Sequence, residues 1–173
     1  MKYFVLEVHT AYIPPKITKW QGILDAKTMQ SKKKNFIPKY TIFQIEDHIQ
    51  TVFTDILTHP CLMVSDETME ILKLYEPTLK FERLTVTDPK TKQMNSYHIP
   101  LLETLNVLTS NSRLGRDGRK LDHIEIDHQK TKGRSIFQIN SNGTIYVIAN
   151  LNLVESLLRR TIIGIGLKEV DVI

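Results

Sequence analysis

The sequence predicts an α+β fold: a mixed, mainly antiparallel sheet with a few short helices packed on it. Three observations predict it. Short runs rich in β-branched and aromatic residues recur at 39–46, 79–86, 94–99 and 135–140, the pattern of half-buried strands. Two stretches carry helix start signals, at Ser65-Asp66-Glu67-Thr68 and at Asn150, each ahead of apolar residues at helical spacing. Turn residues such as Asp88-Pro89 and Asn142-Gly143 separate these runs. A chain of 173 residues, 41% of them hydrophobic, is long enough to bury a core as one domain over 1–173.

Taken in order, residues 2–8 read as a first strand. Residues 9–38 form an irregular arm holding Pro14-Pro15, Trp20, Gly22, Lys32-Lys33-Lys34 and Pro38, with a short helix expected over 24–29. Trp20, the one tryptophan, is expected to pin this arm to the body at 39–173. Residues 39–46 read as a strand and 51–57 as a short helix stopped before Pro60. Cys61 to Val64 is a short apolar run, read as a buried strand. Ser65 then supplies an N-cap hydroxyl, and Asp66 and Glu67 put negative charge in the first turn, where the helix dipole favours it. Met69, Leu72 and Tyr75 share one face, and Pro77 ends the helix.

Strands follow at 79–86 and 94–99. Residues 101–108 fit strand or helix, 109–120 an exposed basic loop, 121–127 a strand and 129–133 a turn. Residues 135–140 and 144–148 read as a hairpin around Asn142-Gly143, since that dipeptide tolerates positive φ. Asn150 caps a last helix whose stripe is Leu151, Leu153, Val154, Leu157 and Leu158. Asn152, Glu155, Ser156, Arg159 and Arg160 share the opposite face, with Glu155 and Arg159 spaced for an i,i+4 ion pair. Gly164 and Gly166 end the helix, and 167–172 closes as a strand.

The segments 61–86 and 144–172 thus repeat one pattern of strand, capped helix, strand. Val64 answers Val147, Ser65 answers Asn150, Phe81 answers Leu167 and Leu84 answers Val170. Duplication and chance similarity both account for this.

On an unbroken strand His123, Glu125 and Asp127 would share a face, yet Cys-x-x-Cys and His-Glu-x-x-His pairs are missing from the sequence; a polar strand face explains the pattern, and no metal is expected. Cys61 sits in an apolar run, where a thiol acts as a small hydrophobe, and His59 beside it belongs to a turn with Pro60. The sequence has no Gly-x-Ser-x-Gly elbow. Gly115-Arg-Asp-Gly118 and Gly164-Ile-Gly166 read as turns rather than phosphate loops. The expectation is a non-catalytic protein without cofactors. Cys61 is the single cysteine, which suits a reducing cytoplasm, and no run approaches the roughly 20 apolar residues of a membrane span.

The net charge is +4 and the pI about 9.1. The basic residues gather in two places, Lys32–Lys34 and the loop with Arg113, Arg116, Arg119 and Lys120. Both could grip phosphates, so a nucleic-acid-associated accessory protein is the alternative reading; aromatic stacking residues are not interleaved with either.

Three strings resemble a known family. They are Asn150-Leu-Asn-Leu-Val-Glu-Ser-Leu-Leu-Arg-Arg160 followed by Gly164-Ile-Gly-Leu167, Arg134-Ser-Ile-Phe-Gln-Ile139, and Asp55-Ile-Leu57 with Pro60-Cys-Leu-Met-Val-Ser65. The chain resembles, over about 40–173, the eleventh numbered family of polymorphic-toxin immunity proteins, formerly a bacterial domain of unknown function. The resemblance implies a cytoplasmic antidote that binds and neutralises a cognate toxin domain; it carries over no catalytic residue. Inhibitors of nucleases are expected to be acidic, since they imitate nucleic acid and steer association by charge, so the basic balance points away from a nuclease target. Tight inhibition needs about 800 Å² buried per partner. Trp20, Arg113, Arg116 and Arg119 are the candidate anchors, being residue types that dominate binding energy.

Overall fold

The computed structural model describes residues 1–25, 37–38, 41–48, 50–116 and 118–173. The expected helix over 24–29 and the Lys32–Lys34 run fall outside these residues wholly or in their larger part. Among the described residues the strands form two five-stranded mixed sheets and a two-stranded ribbon.

The first sheet is ordered β10, β11, β1, β12, β9. It comprises β1 (Tyr3–Val8), β9 (Glu125–Ile126), β10 (Ile136–Ser141), β11 (Thr144–Asn150) and β12 (Ile165–Val172). Neighbours are antiparallel except β12 and β9. The second sheet is ordered β2, β5, β6, β4, β3. Its strands are β2 (Ile42–Gln44), β3 (Ile56–Leu57), β4 (Met63–Val64), β5 (Phe81–Thr87) and β6 (Met94–Pro100), antiparallel except where β2 meets β5. The ribbon pairs β7 (Arg113–Leu114) with β8 (Leu121–His123). The α+β class is therefore as predicted, with the strands divided between two sheets.

Both predicted caps are present. Helix α1 (Asp66–Tyr75) begins at Ser65, whose hydroxyl accepts from Thr68 N. Helix α2 (Leu151–Arg159) begins at Asn150, whose amide oxygen accepts from Leu153 N at 3.0 Å. The Glu155–Arg159 pair forms at 3.3 Å. On α2 the buried stripe is Leu153, Val154 and Leu157 with Ser156, while Leu158 is exposed. Five apolar residues span too wide an arc for one contact face, and small Ser156 fits the flank.

The two strand–helix–strand units share a topology. β4 and β5 flank β6, antiparallel to it; β11 and β12 flank β1 in the same way. Each helix thus joins two parallel strands that have a third inserted between them. Val64 and Val147 meet in one core cluster, and Phe81 and Leu167 pack against it. That cluster draws on β1, β10, β11 and α2 from one side and β3, β4 and α1 from the other, so it cements the two sheets together.

Four segments depart from expectation. Residues 51–57 are not helical: Thr51 bridges to Ile13, and Ile56–Leu57 pair with β4 and are buried. The β-branched Thr51, Val52, Thr54 and Ile56 resist helix and pack well in extended backbone. The strand expected over 121–127 breaks at Ile124, so β8 joins the ribbon and β9 the first sheet. Residues 101–108 are neither strand nor helix, yet they work as an extended lace. Leu105 N donates to Gln138 O on β10, and Asp127 N, just past β9, donates to Val107 O. This segment spans both edges of the first sheet and closes it around Tyr3, Val5, Leu105, Val107, Phe137 and Ile148. Finally, β12 starts at Ile165, and Gly166 lies inside it. A Cβ there would sit 3.0 Å from His9 N, so the backbone of β1 approaches β12 closely at this glycine.

Candidate binding cleft

Strand β1 separates two neighbours, and its ladders to them differ in length. Along β12 the register runs over all of Tyr3–Val8. Along β11 it covers only Tyr3, Phe4 and Val5, opposite Asn150, Ala149 and Ile148. Beyond that point Leu6–Val8 and Thr144–Val147 diverge, and a cleft of about 650 Å³ opens between them. That volume lies within the range of ordinary ligand pockets.

Alternation decides which main-chain groups face the opening. His9 N donates to Gly164 O, so the odd residues of β1 address β12. Leu151 N donates to Lys2 O, so the even residues, Leu6 and Val8 among them, address β11. On β11, Asn150 N donates to Ser135 O; its even residues therefore address β10, and Ile145 and Val147 address β1. The N–H and C=O of Val8 and Ile145 point into the cleft with no ladder partner among the described residues.

The opposite wall is the segment Thr58 to Leu62 from between β3 and β4. His59 there stands edge-on to Trp20, with ring centroids 5.3 Å apart. Cys61 is also on this wall, and desolvation pushes its thiol up to about 12, so the sulfur stays protonated at neutral pH. Lys120 and Tyr146 also line the cleft. The Tyr146 hydroxyl accepts from Leu121 N at 2.7 Å, tying the ribbon to the rim.

The sequence-predicted residues are placed as follows. Trp20 is half-buried against the second sheet's core, the arm being held there by Thr18 N to Gln44 O and Glu46 N to Lys16 O; it stands behind His59. Arg113 lies exposed on β7 opposite His123, and Arg116 and Arg119 are exposed in the ribbon's loop. Arg119 O accepts from the Thr144 hydroxyl, which brings that loop beside β11. Gly118 N donates to Gly115 O, the turn expected at that glycine pair. Cleft and ribbon are thus adjacent, while Trp20 reaches the cleft only through His59.

His123, Glu125 and Asp127 do not share a face, because the strand breaks between them. His123 stands 3.6 Å from Asp171, Glu125 accepts from Thr109 and Asn111, and Asp127 caps the 3₁₀ turn His128–Thr131 by accepting from Gln129 N. Sequence reasoning missed Val8, Ile145, Val147 and His59 as lining residues. Alternation along a strand shows which way side chains point and is silent on whether the next strand stays paired.

No family model matches this chain, and no curated protein matches it.

Proposed function

We propose that this chain is an immunity protein that binds and neutralises a cognate toxin domain of a polymorphic toxin system, in the cytoplasm and without catalysis. The observation that carries the reading is the open stretch between β1 and β11: main-chain donors and acceptors aimed into a cleft of about 650 Å³. Exposed strand edges of this kind are surfaces on which proteins capture other polypeptides. Of the three strings that resemble the immunity family, one lines this cleft through Pro60–Leu62 and a second through Gln138. Arg134–Ile139 leads into and builds β10, and Asn150–Arg160 caps and forms α2, which packs in the core behind the sheet. The ribbon beside the rim carries Arg113, Arg116 and Arg119, residue types suited to anchoring a partner.

Co-expression with the toxin domain encoded beside this gene tests the proposal. The expected outcome is restored growth and co-purification of the pair. No rescue together with no co-purification overturns it.

One observation favours a second reading, a nucleic-acid accessory role: the exposed ribbon presents Arg113 and Arg116. Phosphate contacts are strongest at low salt, so titration with a generic duplex at low ionic strength decides it. Absence of binding there removes this reading.

A further inference from the structure

We infer that the partner docks by inserting an extended segment into the seam between β1 and β11, where it becomes an added strand of the first sheet. This rests on the proposed toxin-binding role and names how it is performed. The seam interrupts the first sheet from within, between two strands that stay paired on their outer sides. The lace of 103–109 bonds β10 at Gln138 and bonds the β9 edge at Glu125 and Asp127. The groups left open are inside: Val8 on one side and Ile145 on the other.

A strand laid there would find donors and acceptors on both flanks. The opening runs only along Leu6 to Val8 on β1, at ~3.3 Å per residue, so the inserted segment is short. Its side chains alternate between the two faces. One face meets Leu6, Val147 and Leu62, all buried and apolar, which calls for small or aliphatic residues. Past one end lies the ribbon, which presents Arg113 and Arg116 exposed. The occupant is therefore a short extended toxin segment with aliphatic residues inward and an acidic flank toward the ribbon.

Proline tests this cleanly. Pro removes an N–H, and at Val8 or Ile145 the N–H lost is one aimed into the seam. The β12 ladder survives Val8→Pro because Glu7 and His9 carry its bonds. Val8→Pro and Ile145→Pro should each weaken binding of the adjacent-gene toxin domain about 10- to 100-fold, while Val8→Ala and Ile145→Ala, which keep the N–H, weaken it less. Amide exchange on the unmodified chain provides a readout independent of how the variants fold. Val8 and Ile145 should exchange freely alone and slow about 100-fold or more in the complex. If the toxin domain binds but these amides stay unprotected, the seam is not the site and the immunity reading stands. If the wild-type chain fails to bind it, both fall.

Discussion

Glu103 shows how single side chains set the pH response. Lys132 Nζ donates to it at 2.9 Å and Arg134 at 3.1 Å, while Arg134 also reaches the buried Glu76 at 3.1 Å. The Lys132 hydrogen bond, with Arg134 behind it, holds the Glu103 carboxyl below the usual carboxylate range. A carboxylate whose folded value is lowered contributes stability above its unfolded value near 4.3, lost as pH falls through the folded one. Urea midpoints should therefore drop as pH falls below about 4.3, and Glu103→Gln should flatten part of that drop. An unchanged slope in the variant would refute this. At Gly164 the constraint is steric. Its φ is +86°, and a Cβ would lie 2.5 Å from the side chain of buried Thr54. Gly164→Ala should cost more than about 2 kcal/mol in urea unfolding, from left-handed strain plus the clash.

Among elements, the helices were the most legible because their signals are local. A hydroxyl or amide ahead of apolar residues at helical spacing satisfies orphan N–H groups wherever the chain folds. The two caps differ in setting: Asn150 is buried while Ser65 is half-exposed. Asn150→Ala should thus cost about 2 kcal/mol and Ser65→Ala about 1 kcal/mol, readable as shifts in the urea midpoint. Equal losses would argue against burial as the difference. Residues 51–57 and 121–127 depart from the sequence expectation for a shared reason. Short β-branched or alternating runs fix the face of each side chain but not the partner strand, and Ile124 sits where the chain passes from ribbon to sheet.

For the molecule as a whole, the decisive feature is the cluster shared by both sheets. Because β1, β10, β11 and α2 meet β3, β4 and α1 there, neither sheet retains its apolar face without the other. Trp20 reports on the second sheet's core, and far-UV circular dichroism reports on every element. The two probes should give coincident urea transitions, as in a two-state domain; a separate fluorescence transition would show sheets that unfold independently. Within the first sheet, β12 and β10 anchor β1 and β11 on their outer sides, where the ladders run past the point at which β1 and β11 part.

By itself the sequence determined the class of the fold, the two capped helices, the Asn142-Gly143 hairpin and the pattern common to 61–86 and 144–172. These follow from interactions between residues near in sequence, so composition and spacing reveal them. Tertiary structure alone decided the division into two sheets, the lacing of the first sheet by 103–109, and the early end of the β1–β11 ladder. Strand pairing joins residues far apart in the chain, and Val5 meets Ile148 only after the core has formed. For the same reason the anchors sought in Trp20 and the arginines lie beside the cleft, and the main chain of Val8 and Ile145 lies within it.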